Sequence, residues 1–216
     1  MSWIAILFFC PSFFGFAERA YFYKQETETF LTSQMTFTAI DFETAHAKFP
    51  CEIGICRVEE GVIQATSSWL IKPACFPYMN YWCYKTHGIS SEMVQHEPTF
   101  EELWSKLHPF LDNTLLIAHN APFDVSVLRA SLQYYDLALP HGDYLCSVSL
   151  SRRAWKGLSS YRLNDLCQLH DIHFHHHRAG ADAEACAKLV LKMGEERGAE
   201  SIFDLSNDLG VRLNQV

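Results

Sequence analysis

At 216 residues, 49% of them apolar and 14% aromatic, the chain suits one globular domain with a sizeable core, which excludes wholesale disorder. Its formal net charge of -8, with no run of lysines or arginines, excludes a protein that coats duplex nucleic acid through a broad basic face. Eight scattered cysteines with no C-x-x-C pair are expected to be reduced thiols in a cytoplasmic protein.

In chain order, residues 1–34 stand apart from everything after them. Trp3 to Ala17 is a phenylalanine-rich apolar run, too short to span a bilayer as a helix. Ala17 and Ala20 could mark a signal cleavage site, yet no positive charge precedes the run, as a secretory signal requires. The reading taken is an extension over 1–34 outside the fold, with Met35 as the true start; export or anchoring is the second reading. Thr36 to Phe42 then reads as a buried strand leading into Glu43, and Cys51 to Val58 and Val62 to Ile71 as two more, joined at Glu59-Glu60-Gly61. Cys75 to Glu97 is expected to be a long, irregular, aromatic-rich functional loop. Thr99 with Glu101 and Glu102 opens a helix carrying Leu103, Leu107 and Phe110. Leu115 to Ala118 is a fourth strand, Pro122 to Leu137 a helix, and Tyr144 to Val148 a fifth strand. Short helices follow at Ser149 to Ala154 and Leu163 to His170. A longer one runs from about Ala179 to Met193, with Ala183, Cys186, Ala187 and Val190 at helical spacing. Ser201 to Leu213 reads as a small packing helix or a docking peptide. The fold class is α/β: a mixed five-stranded sheet with helices on both faces.

Chemistry gathers at three places. Asp41 and Glu43, in Asp41-Phe42-Glu43-Thr44, point to one face of their strand while Phe42 points to the other. Two adjacent carboxylates on an apolar strand repel unless a cation joins them, and oxygen-only ligands favour magnesium, manganese or calcium over zinc. In Ile117-Ala118-His119-Asn120-Ala121-Pro122-Phe123-Asp124 a strand ends in a tight turn, Asn120 is expected to cap, and Asp124 falls in the first helical turn near the sheet edge that carries Asp41. In His177-Arg178-Ala179-Gly180-Ala181-Asp182-Ala183, Asp182 enters the last long helix and His177 precedes it. There a histidine is suited to take a proton from water. His173, His175 and His176, in a tract holding five histidines from His170 to His177, fit an exposed segment.

The order and context of these elements resemble the DnaQ-like exonucleases, in the DEDDh branch of the ribonuclease H-like fold. That family carries D-x-E on the first strand, an aspartate after an H-N-A-x-F-D type turn, and H-x4-D on the last helix. Asp41, Glu43, Asp124, His177 and Asp182 match it over roughly Thr36 to Lys192, and counting back from Asp182 selects His177 rather than His176. Thr86-His87-Gly88-Ile89 also looks like a family element. Leu145-Cys146-Ser147-Val148-Ser149-Leu150 departs from the family by lacking its common D-T pair. The likeness is nearest to the proofreading epsilon subunit of DNA polymerase III. It implies an exonuclease domain over 35–195, followed by a tail or small helix over 196–216.

The resemblance further implies 3'-to-5' hydrolysis of the ends of single-stranded or frayed DNA, releasing nucleoside 5'-monophosphates in proofreading or repair. It implies two magnesium ions, replaceable by manganese, on Asp41, Glu43, Asp124 and Asp182, with Asp41 bridging and His177 as general base. Thr44, Ala45, His119 and Asn120 are expected to contact the terminal nucleotide. The implied partners are DNA 3' ends, or RNA 3' ends, and a DNA polymerase subunit, with no membrane. The same five residues serve RNA-trimming exonucleases of the oligoribonuclease or ribonuclease T kind, which is the alternative. An inactive nucleic-acid-binding module would be expected to have lost a ligand, and none is missing. A nicotinamide-binding oxidoreductase is excluded because no G-x-G-x-x-G follows the first strand.

Overall fold

The computed structural model of the chain describes residues 35–216; the extension expected over 1–34 lies outside the described residues. Three strands open the fold: β1 (Phe37–His46), β2 (Phe49–Glu59) and β3 (Val62–Leu70). They form an antiparallel meander whose β2–β3 turn places Glu60 and Gly61 at positive φ. Two short helices follow, α1 (Tyr81–His87) and α2 (Ser91–Val94), then α3 (Phe100–Leu111). Next come β4 (Leu116–Ala118), α4 (Ala121–Tyr134), β5 (Asp143–Cys146), α5 (Ser147–Ala154) and α6 (Leu163–Leu169). The chain ends with α7 (Ala179–Arg197), α8 (Ile202–Asp208) and β6 (Asn214–Gln215). The sheet order is β3-β2-β1-β4-β5-β6, with β4 parallel to both β1 and β5.

The expected mixed sheet is present, but with six strands rather than five. The sixth comes from the terminal segment, where Asn214 and Gln215 pair antiparallel with Tyr144 and Asp143. Two polar residues carry no hydrophobic alternation, so only the backbone of β5 defines this strand. The stretch expected to be irregular, Cys75 to Glu97, holds α1 and α2 instead. Asn80 supplies the signal: its side chain accepts from the N–H groups of Trp82 and Cys83, an N-cap hidden among aromatics. The start of α3 follows expectation, since Thr99 and Glu102 form a reciprocal capping box.

Strand parity divides the core. Phe37 and Ala39 of β1 face a cluster with Ala183, Cys186, Val190 and Met193 of α7 and with Ile202 and Leu205 of α8. Ile40 and Phe42 face the other side, against Leu103 and Leu107 of α3 and Leu128 and Leu132 of α4. Each of the larger side chains among them, the leucines, isoleucines, phenylalanines, valine and methionine, contributes roughly 1.5–3 kcal/mol when removed from water, so the two faces clamp the sheet between helical layers. Asp41 and Glu43 continue the odd-numbered face of β1, the one α7 covers.

The approach of α7 to β2 is set by glycine. A Cβ at Gly54 would stand 2.0 Å from the carbonyl carbon of Ala179, so only glycine lets the first turn of α7 rest on the strand. Asp182, one turn further on, is thereby brought over the end of β1. Among the described residues no helix is long and apolar enough to cross a membrane.

Candidate active site

The site lies where β1 outruns its parallel neighbour. The N–H of Thr38 donates to the carbonyl of Leu115 at 2.9 Å, and β4 ends at Ala118. Further along the same edge, the N–H of Phe42 finds no β4 carbonyl. The carboxylate of Asp124 takes that place, its Oδ1 accepting from Phe42 N at 3.0 Å. Asp124 is 2% exposed, and this bond ties the first turn of α4 to the backbone between Asp41 and Glu43. Register shifts after Glu43 and after Thr44 bend the end of β1.

Asp41, Glu43 and Asp182 each offer a carboxylate oxygen, and these oxygens lie within 4.8 Å of one another. At that separation two unit charges repel by about 3.5 kcal/mol with an effective dielectric constant of about 20. Burial, aided by Asp124, Asp182, Glu43 and Glu52, holds the Asp41 carboxyl well above the ordinary carboxylate range. Burial also lifts Glu43 to about 8, with help from Asp182 and Glu52. It lifts Asp124 to about 8 against the opposing hydrogen bond from Phe42. Such a cluster is relieved by protons or by cations. All-oxygen donors with surplus negative charge fit hard divalent cations such as magnesium or manganese.

The two histidines before α7 divide their roles in an unexpected way. His176 Nδ1 donates to Asp182 Oδ1 at 2.7 Å, and the other oxygen of Asp182 accepts from the N–H of Arg178 at 2.9 Å. His177 sits in the left-handed region at φ 65°, its ring stacked on that of His176 at 3.8 Å. Burial and the neighbouring His176 hold its imidazole below the usual histidine value, outweighing the pull of Asp182. A neutral imidazole is the form that accepts a proton.

The residues expected to contact the nucleotide lie at two places. Thr44 and Ala45 are buried at the end of β1, where the carbonyl of Thr44 accepts from His87 Nε2 at 3.2 Å and that of Ala45 from Asn80 N at 2.7 Å. His87 Nδ1 in turn accepts from Ile89 N, which explains the Thr86-His87-Gly88-Ile89 motif as a strut between α1 and β1. His119 has both ring nitrogens engaged: Nε2 donates to the Tyr161 carbonyl at 2.9 Å and Nδ1 meets Ser147 Oγ at 2.8 Å. Asn120 is exposed at φ 77° and makes no side-chain cap, contrary to expectation; the left-handed turn itself starts α4, with Pro122 in its first turn.

Sequence reasoning missed Glu52. It stands opposite Glu43 in the β1–β2 register and is 1% exposed. Its Oε2 accepts from Ala179 N at 3.3 Å, and its Oε1 faces the Arg178 guanidinium at 3.4 Å. A lone carboxylate within the apolar run Phe49-Pro50-Cys51-Glu52-Ile53 was the available signal. Its partners lie 126 and 127 positions away, beyond the reach of local pattern.

A three-layer α/β fold with acidic side chains gathered at the end of its central strand defines a nuclease-type hydrolase, and the comparisons with known proteins give the same class. Residues 38–190 match the RNase_T family, described as exonuclease. The chain belongs to this exonuclease family, and its likeness to DnaQ-like DEDDh enzymes holds. It is 32% identical over 162 residues to a PolC-type DNA polymerase III of Caldanaerobacter subterraneus, covering 73% of this chain and 11% of that protein. To the 3'-5' exonuclease DinG of Bacillus subtilis it is 34% identical over 110 residues, covering 50% of this chain and 12% of that one. The chain therefore spans only about a tenth of the length of these relatives. Exonuclease X, solved in complex with 5' overhanging duplex DNA, superposes with a TM-score of 0.64 at 26% identity, covering 78% of this chain and 98% of that one. The nuclease domain of 3'hExo, a DEDDh family member bound to rAMP, shares the fold with a TM-score of 0.67 at 16% identity, covering 84% and 96%.

Proposed function

We propose that the chain is a 3'-to-5' exonuclease that hydrolyses the last phosphodiester of single-stranded or frayed DNA and releases nucleoside 5'-monophosphates. The observation that carries this reading is the convergence of Asp41, Glu43 and Asp182 within 4.8 Å, with buried Asp124 tied to the strand between the first two. Asp41, Glu43, Asp124 and Asp182 would hold two magnesium or manganese ions. Bound there, such ions supply positive charge that attracts the phosphate and stabilises the attacking and leaving oxygens of an in-line displacement.

His177 acts as general base. It takes a proton from water as the water oxygen bonds to phosphorus and the bond from phosphorus to the 3' oxygen breaks. The departing oxygen takes up a proton from solvent, leaving a free 3' hydroxyl on the shortened strand. Asp124 and the β1 backbone hold the carboxylates in register, and Glu52 holds the α7 turn that carries Asp182.

DNA is favoured because the more similar relatives are a DNA polymerase III, DinG and Exonuclease X, the last solved on DNA. Likeness to part of a DNA polymerase III supports action on the 3' ends that replication and repair leave, alongside a polymerase. The test is magnesium-dependent digestion of matched single-stranded DNA and RNA at one salt concentration, since phosphate contacts are salt-sensitive. DNA should be shortened faster; much faster loss of RNA would move the reading to an RNA-trimming enzyme.

A further inference from the structure

The segment over 75–88, which joins β3 to the active-site end of β1, sorts its aromatic residues into two groups. Phe76 packs with Met79, Ile89 and Val94 on Ala45 and Cys51, and so belongs to a small core beneath the segment. Tyr78, Tyr81, Trp82 and Tyr84 do not share it: they are 53%, 59%, 75% and 41% exposed. Exposed aromatic surface of this kind marks a binding face.

The platform is fixed to the catalytic strand. Asn80 N donates to the carbonyl of Ala45 and His87 Nε2 to that of Thr44, the two residues that follow Glu43. Tyr78 meets His46 edge-on at 5.2 Å, Tyr81 and Trp82 lie edge-to-face at 5.2 Å, and Lys85 Nζ stands 5.5 Å from the Tyr81 ring centroid. Charge points the same way. The chain carries 25 acidic residues, yet none occurs between Glu60 and Glu92, while Lys72 and Lys85 fall within that stretch. On a protein of net charge -8 this acid-free stretch gives the segment no carboxylate of its own to repel a polyanion.

We propose that Tyr81 and Trp82, flanked by Tyr78 and Lys85, form a stacking platform for the bases of the last few nucleotides of a single strand, delivering its 3' end to the carboxylate cluster. Aromatic faces accept every base, so the platform confers grip without sequence preference, and Lys85 meets the backbone phosphates. This rests on the exonuclease reading above.

The test is a substrate cycle in magnesium: a single-stranded DNA, and the same strand with abasic sites at its last few nucleotides, digested by the wild type and by Trp82→Ala, Tyr81→Ala and Trp82→Phe. Trp82→Ala and Tyr81→Ala should each raise KM on the ordinary strand about tenfold, within the range of a lost base–aromatic stack. On the abasic strand they should leave KM unchanged, and Trp82→Phe should restore most of the loss. An unchanged KM on the ordinary strand, as expected if this face docks a protein instead, overturns the proposal. So does an equal loss on both strands, which would mean damage to the catalytic centre. If the wild type digests neither strand, the exonuclease reading itself fails and the platform falls with it.

Discussion

His176, rather than His177, hydrogen-bonds to Asp182: Nδ1 of His176 lies 2.7 Å from Oδ1. The H-x4-D spacing selects His177 as the base, and the stacking of the two rings brings both histidines to the cluster. The His176 contact occupies an oxygen that a cation would claim, so metal binding should displace it. His177→Ala should cut turnover about 10²–10⁴-fold, the usual worth of general-base catalysis, with magnesium affinity nearly unchanged. His176→Ala should leave turnover within a few-fold of wild type. Equal damage from His176→Ala in steady-state assays would show that the histidine nearer Asp182 is the base.

Removing a ligand separates chemistry from folding. Asp41→Ala or Asp182→Ala should abolish hydrolysis and sharply weaken divalent-ion binding measured by calorimetry. The metal-free Asp41→Ala protein should melt no lower than wild type, because the substitution removes a buried carboxyl crowded by its acidic neighbours. Asp182→Ala also leaves the Arg178 N–H without its acceptor and should melt lower. Undetectable magnesium or manganese binding by the wild type would contradict the assignment of the four carboxylates.

The raised carboxyls make a prediction about pH. Glu43 and Asp124 titrate near 8 in the fold, above the ordinary carboxylate range of an unfolded chain. The fold therefore favours their protonated forms, and this contribution is lost as pH rises through about 8. In chelator, the melting temperature should fall between about pH 5.5 and about pH 8.5, and saturating magnesium should flatten that fall by binding the native state. Asp124→Asn, which keeps an oxygen for Phe42 N, should stabilise the metal-free protein at about pH 8.5 more than at about pH 5.5. A chelator profile that stays level over this range would count against the charged cluster.

Glu52 is expected to act through position. Glu52→Ala leaves the Ala179 N–H without its acceptor and should cost about 1–3 kcal/mol in denaturant unfolding. It should also weaken magnesium binding, because Asp182 sits one turn beyond that bond. Glu52→Gln retains an acceptor for Ala179 and should recover most of the stability. A Glu52→Ala protein with wild-type stability and metal affinity would remove Glu52 from the account.

Much of this site was legible because its logic is local. Asp41 and Glu43 share a face by strand parity, and Asp182 is placed by the helix that starts just before it. What escaped depends on distant chain. Glu52 is explained only by Ala179 and Arg178, and β6 only by the backbone of β5. The α1 helix was masked by aromatic residues that read as loop, although Asn80 caps it. The partners of His119, Ser147 and Tyr161, lie 28 and 42 residues later, so its hydrogen bonds could not be read from local pattern.

The most direct measurement of the central claim follows a single-stranded DNA labelled at its 5' end, digested by the wild type in magnesium, with nucleotide products identified by chromatography. The account predicts a ladder that shortens stepwise from the 3' end, with nucleoside 5'-monophosphates as the released product, faster digestion of a mismatched 3' end than of a paired one, and no ladder with Asp182→Ala. Immediate release of labelled mononucleotide, internal cutting, or undiminished digestion by Asp182→Ala would contradict it.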